Sequence, residues 1–369
     1  NSHDPFTVSR RQWLSHSAAL VSFIAAGRRP VYGQFCNALE LRGTYSSPAS
    51  FWRAGARLDD YGINAIFVHG QSVTAEMVER AAREGAAVYA EFATLNGKGY
   101  VEQHPEAWPI NERGERAPAA TWFLGACPTE PGFRAYRRKQ AEDLLAKFSL
   151  AGIWMDYFHW HAQFEEPEPI LPETCFCPSC LSRFQSATGI ETPQGDTAAK
   201  ARWILSNHDS AWRNWRASVL VEWARMIRAV IRERRPEAVL GVYHCPWTAT
   251  EFGGALRRTL GIDFSLLAPE IDVFSPMVYH GRMGRKPEWV REYIEWISKR
   301  LPDSVHIWPI VQAHSSPVAI SAAEFEEVMR GGFAGRATGL QMFTIGAVAE
   351  DPEKLAVLKR LYRDWAPAK

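Results

Sequence analysis

Hydrophobic and polar positions along the chain alternate between short apolar runs and longer stretches with helical spacing. The runs are ALELRGTYS, INAIFVHG, AAVYAEFAT and GIWMDY, then AVLGVYH, IDVFSPMVYH, HIWPIVQAH and GLQMFTIG. Each reads as a strand buried on both faces. Between them, apolar residues recur with helical period over 50–60, 73–84, 133–147, 203–234, 287–300, 321–331 and 352–365, with a shorter candidate at 252–260. Eight strands alternating with helices predict a parallel sheet, and the chain is long enough for a single (β/α)8 TIM barrel. A doubly wound open sheet is the alternative. It favours a glycine-rich turn after the first strand, and none follows ALELRGTYS.

Two connections are long: about 95–132 after strand three and about 158–200 after strand four. Long loops in compact domains tend to be functional, and in a barrel both emerge on the face where active sites sit. The strand ends carry polar and aromatic residues: Glu91, Asp156–Tyr157, Tyr243–His244, Tyr279–His280, Gln312 with His314, and Phe343–Thr344. Glu251 and Trp247 follow strand five. One such residue alone reads as a helix cap. Six strands ending this way read as the mouth of a polar ligand site. The stretch GIWMDYFHW (152–160) is the sharpest case, because an unpaired carboxylate is costly to bury and Asp156 closes an apolar strand.

These segments carry a resemblance. AGIWMDY is similar to the DG-x-x-x-D signature of glycoside-hydrolase barrels, with Ala151 where an Asp is usual. IDVFSPMVYH resembles the strand-six Met-x-Tyr segment of chitinase-like barrels. HPEAWPINERGERA, CPTEPGFRAYRRK and CFCPSCLSRF are similar to segments of bacterial glycoside hydrolases of the family-10-like group. The resemblance implies a glycoside-hydrolase-like barrel, with Asp156 as the strand-four carboxylate and Tyr279 on strand six. It departs from the chitinase pattern at Phe158, where that family places a catalytic Glu.

Glycoside cleavage generally uses two carboxyl groups, one protonated and one ionised. Asp156 is the first candidate; Glu251 is favoured as the second, with Glu91 in reserve. Glu165 and Glu166, in a Pro-rich segment, read as solvated. Tyr157, His159, His161, His244, Tyr279, His280 and Gln312 are candidates for binding sugar hydroxyls or sharing protons, since hydroxyls need both donors and acceptors. Trp160 and Trp247 are candidates for stacking on a sugar ring, whereas Trp215 and Trp223, eight apart on a helix, read as core. The expected substrate is an oligo- or polysaccharide, cleaved without a cofactor. The alternatives are a catalytically silent carbohydrate-binding barrel and a metal-dependent hydrolase using the strand-end histidines.

Composition adds three points. Among 369 residues, 22% are charged and the formal net charge is +1, which gives no reason to expect nucleic acid or an anionic membrane as partner. Fifteen tryptophans tilt the reading toward carbohydrate. At the N-terminus, Arg10 and Arg11 precede a weakly apolar stretch too short to span a bilayer. This matches a twin-arginine export signal over 1–33, leaving a periplasmic or secreted domain over 34–369. The pattern does not define an oligomeric state. Finally, Cys175, Cys177 and Cys180 form C-x-C-x-x-C in the fourth loop. Either a structural zinc, with Cys127 or a loop histidine as fourth ligand, or a disulfide to a partner elsewhere accounts for them. Cys36 and Cys245 read as isolated small buried residues.

Overall fold

The computed structural model describes residues 38–119 and 123–367; the expected export signal and Cys36 lie outside the described residues. The strands are β1 (Leu41–Tyr45), β2 (Ala65–His69), β3 (Ala87–Ala93), β4 (Gly152–Asp156), β5 (Val239–His244), β6 (Val273–Val278), a two-piece β7 (His306–Ile307 and Ile310–Gln312) and β8 (Gly339–Phe343). All pair in parallel with their sequence neighbours. β8 pairs back onto β1, Leu41 opposite Gly339 through Thr44 opposite Met342, which closes the barrel. An open doubly wound sheet is thereby set aside.

The gap in β7 follows from proline chemistry. The register on either side places Pro276 of β6 opposite Pro309, so neither strand has an N–H to offer the ladder there.

Large aromatic rings fill the barrel. Tyr45, Phe67 and Tyr89 lie in register on β1 to β3, and Phe67 stacks on Tyr89 at 4.7 Å. Trp154 of β4 crosses both edge-on and stacks on Trp308 at 5.4 Å. Two glycines make the room. A Cβ at Gly241 would stand 2.2 Å from Trp154, and one at Gly339 would stand 2.6 Å from Trp308. The buried polar atoms among these rings are paired: Trp154 Nε1 and Gln341 Nε2 both donate to Ser275 Oγ, and the Tyr243 hydroxyl donates to Gln341 Oε1. The barrel floor is therefore packed and fixed, and the open end lies above it.

The longer outer helices largely follow the periodic stretches, and short helices at Lys98–Gln103, Phe264–Leu267 and Ile345–Ala349 lie outside them. Helix Ala49–Arg53 is shorter than the apolar pattern over 50–60, because Gly55 turns left-handed just past its end. The stretch 203–234 is two helices, Thr197–Asn207 and Asp209–Arg234, meeting at His208. Trp215 and Trp223 are buried on the second of these. Helix Pro178–Thr188, inside the fourth loop, has no counterpart in the periodicity. It starts with Pro178 behind a Cys177 cap and stops at left-handed Gly189.

Candidate active site

β4 delivers Asp156 to the barrel mouth. Ile153 and Met155 alternate with the inward Trp154 and are fully buried, so the strand is gripped on both faces. Tyr157 then adopts φ +50°, an uncommon conformation for a residue with a side chain. Its N–H donates to Asp156 Oδ1 at 2.7 Å. The Tyr157 ring is held from behind by Phe123, which stacks on it at 5.2 Å and on His161 at 5.3 Å. The third and fourth loops thus jointly fix the residue that follows the carboxyl group.

Asp156 opens into a cavity of about 230 Å³ whose other walls are Tyr45, Tyr157, Glu165, Tyr243, Met277, Tyr279, Arg282 and Phe343. Burial, then the charges of Glu91 and Glu165, hold the Asp156 carboxyl well above the usual carboxylate range. Glu165 is also raised by burial, but the Arg282 guanidinium, 3.4 Å from its Oε2, works in the opposite direction. Arg282 is positioned in turn by Gln312, whose Oε1 accepts the Arg282 backbone N–H at 3.0 Å. Burial also keeps the phenols of Tyr45, Tyr157, Tyr243 and Tyr279 neutral, so they remain hydrogen-bond donors at any ordinary pH.

Of the residues singled out from the sequence, Asp156, Tyr157, Tyr243, Tyr279 and Phe343 line this cavity. Glu91 lies beneath it, 2% exposed. Its Oε2 accepts from the Tyr45 hydroxyl at 2.7 Å, and its Oε1 has no partner. Glu251 does not face Asp156: Thr248 donates to one oxygen through both N–H and hydroxyl, and Arg285 to the other at 2.6 Å. Gln312 acts from behind Arg282, and Trp247 borders a second cavity.

The histidines are engaged elsewhere. His159 donates to the Trp160 carbonyl, and His161 bridges Gly125 N–H and the Pro118 carbonyl. His244 donates to the Cys245 carbonyl among Phe264 and Phe274, and His280 pairs with Glu324 at 2.8 Å. Burial pushes His159 and His244 down to about 4, so both are neutral near pH 7. Trp160 is fully buried, its Nε1 on the Arg216 carbonyl and its ring under the Arg216 guanidinium at 4.7 Å. It is not a sugar platform.

Glu165, Arg282 and Tyr45 complete the cavity without having been expected there. For Glu165 the expectation of solvation is corrected. Ala162 and Phe164 are buried, and Gln163 and Ile170 exchange backbone hydrogen bonds, so Glu165 is turned inward over the mouth, while Glu166 is exposed as expected. The signal was the buried-type pair just before the acids, outweighed by the prolines after them.

Cys127, Cys175, Cys177 and Cys180 meet in one buried cluster, all four sulfurs within 4.8 Å of one another. The described cysteines are all free thiols, and Cys245 is buried apart as expected. Backbone N–H groups of Ile110 and Cys180 point at the sulfurs of Cys175 and Cys177. No other group of three or more metal-ligating side chains occurs among the described residues.

No family model and no curated protein sequence matches the chain. Solved structures do. The glycoside hydrolase domain of PgaB (BpsB) from Bordetella bronchiseptica is similar at 12% identity, with TM-score 0.65, over 89% of this chain and 99% of that one. A β-galactosidase from the psychrophilic Marinomonas ef1 is similar at 11% identity and TM-score 0.63, over 88% of this chain. Another, from the haloarchaeon Halorubrum lacusprofundi, is similar at 12% and 0.64 over 89%. The chain spans 59% and 58% of these two enzymes' lengths. It therefore has the glycoside-hydrolase-like (β/α)8 barrel fold.

Proposed function

We propose that the protein is a glycoside hydrolase in which Asp156 donates a proton to the leaving oxygen and Glu165 acts as the ionised partner. The observation that carries this reading is the shared cavity, where two carboxyl groups sit in environments that separate their proton affinities. Asp156 lies near the charges of Glu91 and Glu165, which favours the acid form. Glu165 faces Arg282, which favours the carboxylate. Such a pair meets the need of glycoside cleavage, in which one group protonates the departing oxygen while the other opposes developing positive charge or activates water. The neutral phenols of Tyr157 and Tyr279 supply donors for sugar hydroxyls, those of Tyr45 and Tyr243 being given to Glu91 and Gln341, and the acid–base steps run on side chains alone.

The four cysteines are assigned to structural zinc within the same reading. A tetrahedral zinc with Zn–S of about 2.3 Å spaces its sulfurs about 3.8 Å apart. Cys127 lies 3.5 and 3.4 Å from Cys177 and Cys180, close to that spacing. The ion would tie the third loop to the fourth, from which Glu165 projects.

The test is a screen of purified protein against a panel of plant, bacterial and fungal polysaccharides for released reducing ends, beside Asp156→Asn. At least one glycan should be cleaved, with turnover about 10²- to 10⁴-fold lower in the variant. No cleavage of any glycan, or near-normal turnover in a folded Asp156→Asn, would count against the reading.

A further inference from the structure

A second cavity, of about 220 Å³, lies beside the first. The loop after β4 and the loop after β6 contribute to both. Glu165 faces the first cavity and Glu166 the second; Arg282 faces the first and Arg285 the second. These two loops touch at the second cavity, where a Cβ at Gly284 would stand 3.2 Å from Pro167. The far wall is aromatic. Phe252 packs at a tilt of 37° against the buried Trp247 with centroids 4.3 Å apart, yet keeps 38% of its surface exposed. It is held there by a left-handed backbone, φ +50° at Phe252 followed by positive φ at Gly253 and Gly254. Strained backbone that presents an apolar ring to solvent is costly unless the ring has a use.

Glu251 acquires a role here. It accepts two hydrogen bonds from Thr248 and one from Arg285, which fixes the guanidinium at the rim while its remaining N–H groups stay available. An aromatic face, a carboxylate on one side and an oriented guanidinium on the other match a pyranose, which has an apolar face and hydroxyls around its edge.

We propose that this second cavity is a sugar subsite adjoining the first, so that the substrate is a chain of at least two sugars rather than a single glycoside. This rests on the reading of the first cavity as the cleavage site. Phe252 stacks on the sugar, Glu166 and Arg285 hold its hydroxyls, and Glu251 is a positioning residue for Arg285.

The experiment measures binding, which does not require turnover. Asp156→Asn protein is titrated with gluco-, galacto-, manno-, xylo- and chito-oligosaccharides of one to five units, followed by tryptophan fluorescence. In at least one series the trisaccharide should bind at least tenfold more tightly than the monosaccharide. Adding Phe252→Ala should erase that gain, and Glu166→Gln should reduce it. Equal affinity across lengths, a gain insensitive to both substitutions, or no binding in any series overturns the proposal. A length-dependent gain in a protein whose wild type cleaves nothing would keep the subsite and sink the hydrolytic reading, so the two failures are distinguishable.

Discussion

In the unfolded chain an aspartic acid ionises near pH 3.9. In the cavity, burial and the charges of Glu91 and Glu165 hold the Asp156 proton to higher pH. The sign of the linkage follows. Between those two values the folded state keeps a proton that the unfolded state gives up, so Asp156 costs the fold nothing below about pH 4 and progressively more as pH rises toward its folded value. The cost is about 1.4 kcal/mol for each tenfold change in proton affinity. Asn keeps the oxygen that accepts from Tyr157 N–H and carries no charge. Asp156→Asn is therefore expected to melt with the wild type near pH 4 and a few degrees above it at pH 7, in thermal denaturation followed across that range. A variant less stable at every pH would make Asp156 a structural residue. At this scale the sequence was informative where a residue ends a strand: Asp156, Tyr157 and Tyr279 occupy the cavity. It was misleading where a polar residue follows a strand end but turns back into the shell, as His159 and His280 do. Periodicity reports which face a strand residue takes, but carries no such information for loop residues.

Loops are the elements that assemble the site, and they are held by contacts distant in sequence. Cys127 of the third loop reaches the Cys175–Cys180 segment of the fourth, and Phe123 packs against Tyr157 and His161. The C-x-C-x-x-C spacing pointed to metal or disulfide chemistry. Proximity to Cys127, about fifty residues away, comes only from the folded connection. If zinc occupies the cluster, metal analysis should find about one zinc per chain, lost in Cys177→Ser together with several degrees of melting temperature. Metal-free protein that melts identically to Cys177→Ser would remove the metal from the account. The unanticipated helix Pro178–Thr188 belongs to the same unit, since its first turn is capped by a cluster sulfur.

For the molecule as a whole, the barrel was readable because eight apolar runs alternate with helical stretches and parallel strands need such crossovers. Less visible was what fills it. The rings of Trp154 and Trp308 enter only because glycines sit opposite them, a correlation between distant positions that local periodicity does not contain. That packed floor makes the mouth rigid, and a rigid mouth lets a single carboxyl group act as a proton donor at a fixed point. The most direct test of this role varies the leaving group. For the sugar identified by the polysaccharide screen, turnover of phenyl and 2,4-dinitrophenyl glycosides is compared between wild type and Asp156→Asn. Dinitrophenolate departs without protonation, so the account predicts a loss of about 10²- to 10⁴-fold on the phenyl glycoside and of less than about tenfold on the dinitrophenyl glycoside. An equally large loss on both, or no loss on either, would contradict Asp156 as the acid.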